Sequence, residues 1–180
     1  HTLTVLTHPG NQPLEELIAQ GASVASTSKS LAETSEIIVL CVTGTPQVEQ
    51  VLLGDDGVLE GLTAGTVVID CSTAVPASTD RLSAMIIAKG GRFLDAPMTR
   101  TPKEAAEGRL NLLVGGDTDL FEQCRPVLAC FAENIVHAGP IGAGHRMKLL
   151  HNFVSLGSVT LMAEDCLLYT SDAADDSLRV

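Results

Sequence analysis

Basic residues are scarce in this sequence. Its 180 residues include 11 lysines and arginines against 22 aspartates and glutamates, which gives a formal net charge of −11 at pH 7. Proteins that bind nucleic acid usually carry a basic face, so this balance argues against a nucleic-acid partner. The sequence also lacks an apolar run long enough to span a membrane and shows no signal-peptide pattern at its start. We therefore expect a cytoplasmic protein without a membrane partner.

The cysteines lack the spacings that bind metals or build a disulfide framework. There are five of them, with no C-x-x-C pair and no matching set of histidines, so we expect no metal site and no structural disulfide. We predict that all five are small buried hydrophobes: Cys41, Cys71, Cys124, Cys130 and Cys166. With 45% hydrophobic and 18% charged residues, the chain can build the core of roughly one domain.

Short apolar runs alternate with amphipathic segments along the chain, a pattern typical of a parallel sheet covered by helices. The predicted strands cover residues 2–7, 23–25, 37–42, 66–69, 93–96, 110–114 and 134–137. The predicted helices cover residues 12–20, 46–53, 77–88, 102–107 and 119–131, and another begins near residue 145. Thr45 is predicted to cap the second of these helices, with Pro46 at its first position.

Residues 139–152 place an ammonium and a carboxamide on one side of a predicted helix. Lys148 and Asn152 are four residues apart and therefore lie one turn apart. A lysine beside apolar packing can have its pKa lowered by desolvation. The alternative is a solvated lysine on an ordinary helix. The neighbouring apolar residues are expected to bury the rest of the helix surface: Met147, Leu149, Leu150 and Phe153.

Three motifs in this sequence resemble those of one enzyme family. Residues 139–152 have the spacing G-x-x-G-x-G-x-x-x-K-x-x-x-N, which resembles the catalytic signature of the β-hydroxyacid dehydrogenases, the family of 3-hydroxyisobutyrate dehydrogenase and tartronate semialdehyde reductase. Residues 70–76 resemble the family's D-x-S-T-x-x-P, and residues 95–116 resemble its D-A-P-V-S-G-G and G-x-L-x-x-x-V-G-G segments. Three motifs in register over residues 1–165 make the resemblance specific.

The resemblance implies an α/β fold with a Rossmann-like parallel sheet covered by helices. Residues 1–144 would form the NAD(P)-binding domain, and residues 145–165 the start of a long interdomain helix. The chain begins at what the resemblance makes the second strand. We therefore expect that it lacks the first strand, the G-x-G-x-x-G turn and the helix that hold the pyrophosphate, and that its reading frame is truncated. Residues 166–180 resemble a translated transposase-type sequencing adapter and are expected to be a non-native tail. The alternative is a divergent helix end followed by a natural acidic tail.

The implied activity is hydride transfer between a nicotinamide cofactor, NADP or NAD, and a small anionic β-hydroxy acid or semialdehyde. By resemblance, Lys148 is the general acid in reduction and the general base in the reverse reaction, and Asn152 holds the substrate. Ser72 is expected near the substrate and Thr73 near the nicotinamide, although both would also fit an ordinary turn before a helix. The fragment is expected to be inactive alone, and the full-length protein to be a homo-oligomer.

The implied cofactor contacts depart from the family pattern at two places. Val42 and Thr43 occupy the position of the family's Leu-Pro pair beside the cofactor. His8 stands where members that prefer NADP often carry arginine. An imidazole would not repel a 2′-phosphate as an aspartate would, so both dinucleotides are allowed.

The segment after Pro97 departs from the family pattern at the substrate side. Thr99 matches the usual serine, whereas Arg100 and Thr101 replace the usual glycine pair, and arginine here resembles the sulfolactaldehyde reductases of the same family. Thr101 and Glu104 form a predicted capping box around Pro102. We expect a helix N-terminus with free amides suited to an anion, and we expect Arg100 to bind that anion. The alternative is that Arg100 points to solvent.

Two other functions remain open. His151 follows Lys148 by three residues, and the stretch G-A-G-H-x-x-K-x-x-H-N also resembles 6-phosphogluconate dehydrogenase, which would make the reaction an oxidative decarboxylation. The other two motifs fit that family less well. Dehydrogenase-like domains also exist that serve as non-catalytic binding or oligomerisation modules. Such domains tend to lose the lysine, and this chain keeps it.

Overall fold

The computed structural model describes residues 2–8 and 13–176, with side chains described up to residue 169. The described strands are β1 (Thr4–Leu6), β2 (Ser23–Ala25), β3 (Ile37–Leu40), β4 (Val67–Asp70), β5 (Arg92–Asp95), β6 (Met98–Thr99), β7 (Leu110–Gly115) and β8 (Ala132–Gly139). The first two form a parallel pair. The other six form one sheet in the order β3-β4-β5-β7-β6, with β8 paired to β7. This is the Rossmann-like architecture that the sequence predicted.

The helices alternate with the strands. Those in the described residues are α1 (Glu15–Ala19), α2 (Ser28–Thr34), α3 (Thr45–Leu53), α4 (Val58–Gly61), α5 (Pro76–Ala88), α6 (Pro102–Ala106), α7 (Thr118–Leu128) and α8 (Ala143–Asp176). Each predicted strand and helix is found, with its ends shifted by a few residues. Residue 12, where the first helix was predicted to begin, lies outside the described residues.

The sequence missed α2, α4 and β6. The helix α2 is stabilised by a capping box between Thr27 and Ser30 and by close packing on α4. A Cβ added at Gly61 of α4 would lie 2.2 Å from the carbonyl oxygen of Lys29 in α2. The helix α3 is capped by Gly44 rather than by Thr45 as predicted. The Thr45 hydroxyl instead accepts a hydrogen bond from a backbone amide in the loop before α5.

Three parallel strands place their ends at one edge of the sheet. In β3, β4 and β5 the residues Leu40, Asp70 and Asp95 are in register, and every residue of β4 is buried. Apolar clusters cover both faces of β4, which explains its nearly continuous apolar sequence. The loops that follow the three strands therefore lie side by side at the carboxyl edge, where open α/β sheets bind ligands.

The six-stranded sheet is mixed rather than wholly parallel as predicted. β7 runs antiparallel to both β5 and β6 and parallel to β8. The connection from β6 to β7 covers residues 100–109 and contains only the short helix α6. A parallel crossover needs a dozen or more residues, so this connection returns the chain antiparallel.

The long helix α8 is covered on one side only. His145 is buried, and Lys148 and Asn152 are half-buried. The prediction that the flanking apolar residues are buried was wrong, because the described sheet reaches only the side that carries these three residues. The helix is continuous through residue 165, so no break marks the expected start of a tail. The exposed apolar side chains include Met147, Leu149, Leu150 and Phe153, the last with 78% of its surface exposed.

The cysteines are not all buried. Cys71 and Cys124 are buried as predicted, whereas Cys41, Cys130 and Cys166 are exposed, because they lie in a strand-end loop, after α7 and on the uncovered part of α8. Within residues 2–8 and 13–176, no helix has both the length and the apolar character needed to cross a bilayer.

Candidate active site

The loops after β3 and β4 are tied to each other by hydrogen bonds. The amide of Ser72 donates to Oδ1 of Asp70 at 2.9 Å, and the Ser72 Oγ accepts from the amide of Val42 at 3.0 Å. Ser72 is buried, while Thr43 and Thr73 are exposed. The structure therefore brings together Val42, Thr43, Ser72 and Thr73, with Ser72 as the link between the loops and the two threonines as the accessible groups.

Asp95 joins the end of β5 to the N-terminus of α8. Its carboxylate is fully buried; Oδ1 accepts from the amide of Gly142 at 2.7 Å and Oδ2 from the amide of His145 at 2.8 Å. The first amides of a helix have no partner within the helix, and a negative charge there is favoured by the helix dipole. Asp95 thus fixes the start of the helix that carries Lys148.

Two glycines allow this close approach of helix and sheet. A Cβ added at Gly115 would lie 2.5 Å from Oδ1 of Asp95, and one added at Gly144 would lie 2.2 Å from the carbonyl oxygen of Leu113. Side chains do not fit at such distances. Gly115 of the motif at residues 95–116 and Gly144 of the motif at residues 139–152 are therefore explained by one contact, in which α8 lies directly on the ends of β5 and β7.

His145 links α8 to the motif at residues 70–76. Its Nε2 lies 3.0 Å from the carbonyl oxygen of Ser72, and its Nδ1 lies 2.8 Å from the hydroxyl of Thr79 in α5. Sequence reasoning did not select His145. The available signal was its spacing from Lys148 and Asn152, since residues three and seven positions apart share a helix face.

Lys148 and Asn152 lie on that same, partly covered side of α8. Burial lowers the pKa of the Lys148 ammonium from its usual value of 10.5, which confirms the direction expected from the sequence. Desolvation has this effect because it disfavours the charged form. A lysine with a lowered pKa is suited to giving and taking a proton.

Arg100 is already paired in this structure. Its guanidinium donates to the Glu133 carboxylate at 2.5 Å and to the carbonyl oxygen of Arg109. Its backbone φ is +84°, a region that favours glycine. Arg100 therefore neither points freely to solvent nor presents an unpaired guanidinium, and an incoming anion would compete with Glu133.

The predicted capping box is present, but the expected free amides are not. The amide of Thr101 donates to the Glu104 carboxylate at 3.0 Å, and the Thr101 hydroxyl accepts from the amide of Lys103 at 3.3 Å. The expectation of free amides at this helix start was wrong, because the chain's own side chains take them. Thr99 is half-buried, and its hydroxyl accepts from the Asn111 side chain at 3.1 Å.

Two further histidines were singled out from the sequence. His8 is exposed and lies two residues after β1, and His151 is exposed on α8. Neither belongs to a metal centre, since the described residues contain no group of three or more histidine, cysteine, aspartate or glutamate side chains that could hold a metal ion.

Residues 1–139 match the family described as the NAD binding domain of 6-phosphogluconate dehydrogenase. The chain belongs to this family. Among its relatives is the 2-hydroxy-3-oxopropionate reductase of Escherichia coli, 34% identical over 166 residues that cover 92% of this chain and 56% of the relative. The 3-sulfolactaldehyde reductase of Escherichia coli is 36% identical over 157 residues, covering 87% and 53%. These relatives confirm the resemblance to β-hydroxyacid dehydrogenases.

The solved structures agree with the family assignment. The 3-hydroxyisobutyrate dehydrogenase of Mycobacterium tuberculosis, a structure described with L-serine, superposes with a TM-score of 0.85 at 25% identity, covering 96% of this chain and 58% of that chain. The chain thus spans somewhat more than half the length of the proteins it matches.

The carboxyl edge fits the nicotinamide cofactor of this family. The helix α3 begins in the loop after β3, and no side chain caps its first amides. The loops after β3 and β4 lie close together, since a Cβ added at Gly44 would be 3.8 Å from the carbonyl oxygen of Thr73. Thr43 and Thr73 are exposed and Val42 is partly covered, so this edge presents both polar and apolar groups, as a dinucleotide would require.

Proposed function

We propose that this protein transfers a hydride between NAD(P) and a small anionic β-hydroxy acid or its semialdehyde, with Lys148 as the general acid and base. The observation that carries this proposal is the desolvated Lys148 on the helix that Asp95 and His145 hold against the loop of Ser72 and Thr73. Membership of an NAD-binding family supports it, and two relatives are named as reductases of small acids or aldehydes.

When bound, the cofactor supplies or accepts the hydride, and the protein supplies position and a proton. In reduction, the Lys148 Nζ donates a proton to the substrate oxygen as the carbonyl is reduced. In oxidation, the neutral amine removes the proton from the hydroxyl. A lowered pKa serves both directions, since each protonation state is then accessible. Asn152, one turn further along α8, donates from its carboxamide to hold the substrate in line.

On the cofactor side, we propose that Val42, Thr43 and Thr73 contact the dinucleotide near its nicotinamide end and that His8 lies near its adenosine ribose. The exposure of Thr43, Thr73 and His8 supports this assignment. His8 carries no negative charge that would repel a 2′-phosphate, so NADP is compatible with the site as well as NAD.

On the substrate side, we propose that Ser72, Thr99, Arg100 and Thr101 shape the site and that the substrate carries a carboxylate or a sulfonate. The anion would exchange with Glu133 for the guanidinium of Arg100, whose planar fork can bind two oxygens of one group. The relative named 3-sulfolactaldehyde reductase supports the sulfonate as a candidate.

The Arg100 proposal is tested by steady-state reduction of sulfolactaldehyde and tartronate semialdehyde. Arg100→Gly should raise KM at least about tenfold, the equivalent of a lost charge-assisted hydrogen bond. Glu133→Gln should lower KM, because it frees the guanidinium. If neither variant changes KM, Arg100 serves only the contact with Glu133.

The role of Lys148 is tested in the protein expressed from its complete reading frame. Lys148→Met should lower kcat at least about 10²-fold, the usual size of a general acid or base contribution, while dinucleotide affinity stays nearly unchanged. Lys29→Met is the matched control. It removes a lysine of similar size from a surface pair with Glu60 and should leave kcat unchanged. Near-normal turnover of Lys148→Met would overturn the proposed role of Lys148, whereas a wild type without turnover would favour a non-catalytic binding module.

We further propose that residues 1–180 alone are inactive, that residues 166–180 are not native to the enzyme and that the whole protein is a homo-oligomer. The relatives support the first point, since the chain covers only 53–56% of their length. The exposed apolar side chains of α8 support the last, because a second copy would remove them from water. Light scattering of the protein from the complete reading frame tests the oligomeric state.

A further inference from the structure

His145 is a buried, fully hydrogen-bonded histidine at the start of α8, and the proposed reaction does not use it. Only 1% of its surface is exposed. Its two ring nitrogens contact two different elements, the loop after β4 through the Ser72 carbonyl and α5 through the Thr79 hydroxyl. Three segments of the chain are therefore joined through one imidazole.

The hydrogen-bond partner of Nε2 shows that this nitrogen is a donor. A carbonyl oxygen can only accept, so Nε2 carries a hydrogen and donates to Ser72. Nδ1 shares a hydrogen bond with the Thr79 hydroxyl, which also lies 3.4 Å from the carbonyl oxygen of Val75. The carboxylates of Asp70 and Asp95 lie 4.0 and 3.9 Å from the ring, too far for hydrogen bonds. Both carboxylates instead bind backbone amides. The imidazole is thus the direct side-chain link between α8 and the loop after β4.

This link lies close to the proposed proton donor. Lys148 follows His145 by three residues, which corresponds to a rise of about 4.5 Å along the helix on nearly the same face. Thr73, the residue proposed to contact the cofactor, directly follows the carbonyl that His145 holds. The imidazole therefore connects α8, which carries the proposed proton donor, to the loop proposed to contact the cofactor.

We propose that His145 is a positioning residue that sets the distance between Lys148 and the loop of Ser72 and Thr73. The proposal rests on the proposed function of Lys148. Without the imidazole, Asp95 would still hold the start of α8, but the helix would lose its contact with the loop after β4. A displacement on the order of 1 Å in a reacting pair can lower a rate about 10²-fold.

The test compares His145→Phe and His145→Gln in the protein from the complete reading frame. Phenylalanine fills the buried volume but cannot form a hydrogen bond with the Ser72 carbonyl or the Thr79 hydroxyl. Glutamine keeps one donor and one acceptor in its carboxamide. His145→Phe should lower kcat by about 10- to 100-fold, with KM and dinucleotide affinity changed less than about threefold. His145→Gln should recover most of the lost kcat.

A matched control is His137→Phe. His137 also contacts a backbone carbonyl, that of Gly116 at 2.9 Å, but it stacks on Phe121 and does not touch the loop after β4. This variant should leave kcat within about twofold of the wild type. If His145→Phe fails to fold, Thr79→Val decides, since it removes only the partner of Nδ1 and should lower kcat in the same direction.

The outcomes separate this inference from the proposed function. A wild-type protein without turnover on any small β-hydroxy acid or semialdehyde would refute the proposed function, and the inference with it. An active wild type with unchanged kcat in folded His145→Phe would refute the inference alone. So would an equal loss in His145→Phe and His145→Gln, because the hydrogen bonds would then not be the cause. A loss that also appears in His137→Phe would show a general loss of stability instead.

Discussion

Arg100 has a backbone φ of +84°, so its replacement should depend unusually on whether the new residue is alanine or glycine. Both substitutions remove the same contacts, the ion pair with Glu133 and the hydrogen bond to the Arg109 carbonyl. The side chains of the ion pair are 26% and 45% exposed, so its loss should have only a small effect on stability. Of the two replacements, only glycine also removes the unfavourable conformational energy of a positive φ.

The expected difference between the two variants follows from the backbone. A non-glycine residue in the left-handed region costs roughly 1 to 2 kcal/mol. Alanine keeps this cost, whereas glycine removes it, although glycine also gains about 0.5 to 1 kcal/mol of freedom in the unfolded chain. We therefore expect Arg100→Gly to be more stable than Arg100→Ala by about 1 kcal/mol, or roughly 2 to 4 °C in Tm for a chain of this size.

Arg109 provides the control for this measurement. It also contacts Glu133, at 3.7 Å, and Glu107, at 3.0 Å, but among the described non-glycine residues only Asp56 and Arg100 have a positive φ. Arg109→Gly should therefore be less stable than Arg109→Ala. Thermal and urea unfolding followed by circular dichroism measures all four variants. The reasoning is refuted if glycine is the less stable replacement at both positions.

Three further predictions concern the site and its cofactor. Asp95→Ala should lower the free energy of unfolding by about 2 to 4 kcal/mol, because the buried amides of Gly142 and His145 lose their acceptor. Asp95→Asn, which keeps one acceptor oxygen, should cost about half as much in urea unfolding; equal costs would contradict this. Because burial lowers the pKa of Lys148, kcat for reduction should fall as pH rises through that pKa, below the usual 10.5, since reduction needs the ammonium. The kcat for oxidation should rise over the same range, and a pH profile identical in Lys148→Arg would assign the titration to another group. Residues 1–180 contain no G-x-G-x-x-G stretch and should bind NAD or NADP weakly if at all; micromolar affinity in a calorimetric titration would contradict that.

Several parts of the fold and site could be predicted because they depend on local sequence. The apolar runs at β3 and β4 predict buried strands, since a strand covered on both faces needs apolar residues throughout; β4 is buried at every residue, whereas Val39 of β3 is exposed. The one-turn separation of Lys148 and Asn152 follows from helix geometry alone. The lowered pKa of Lys148 was also expected, although the apolar neighbours named as its cause are exposed.

Other features of the chain were missed because their signals are weak or not local. The helix α2 contains three polar residues of low helix propensity, Ser28, Ser30 and Thr34, and packing on α4 supports it. A capping box was correctly predicted at Thr101. The pattern shows only that a cap is present, however, and so it did not predict which groups accept hydrogen bonds from the helix amides. The roles of the proposed site residues in binding and catalysis stay predictions.

Only the tertiary structure decided how the three motifs meet. Asp95 binds the amide of His145 across 50 residues of chain, and His145 reaches the carbonyl of Ser72 across 73. Sequence spacing determines geometry within a helix or a strand, but it does not determine which loops lie next to each other at a sheet edge. That neighbourhood is determined by strand order and register, which follow from the packing of the whole core. For the same reason, the sequence did not predict the pairing of Arg100 with Glu133, which depends on β8 lying beside β7.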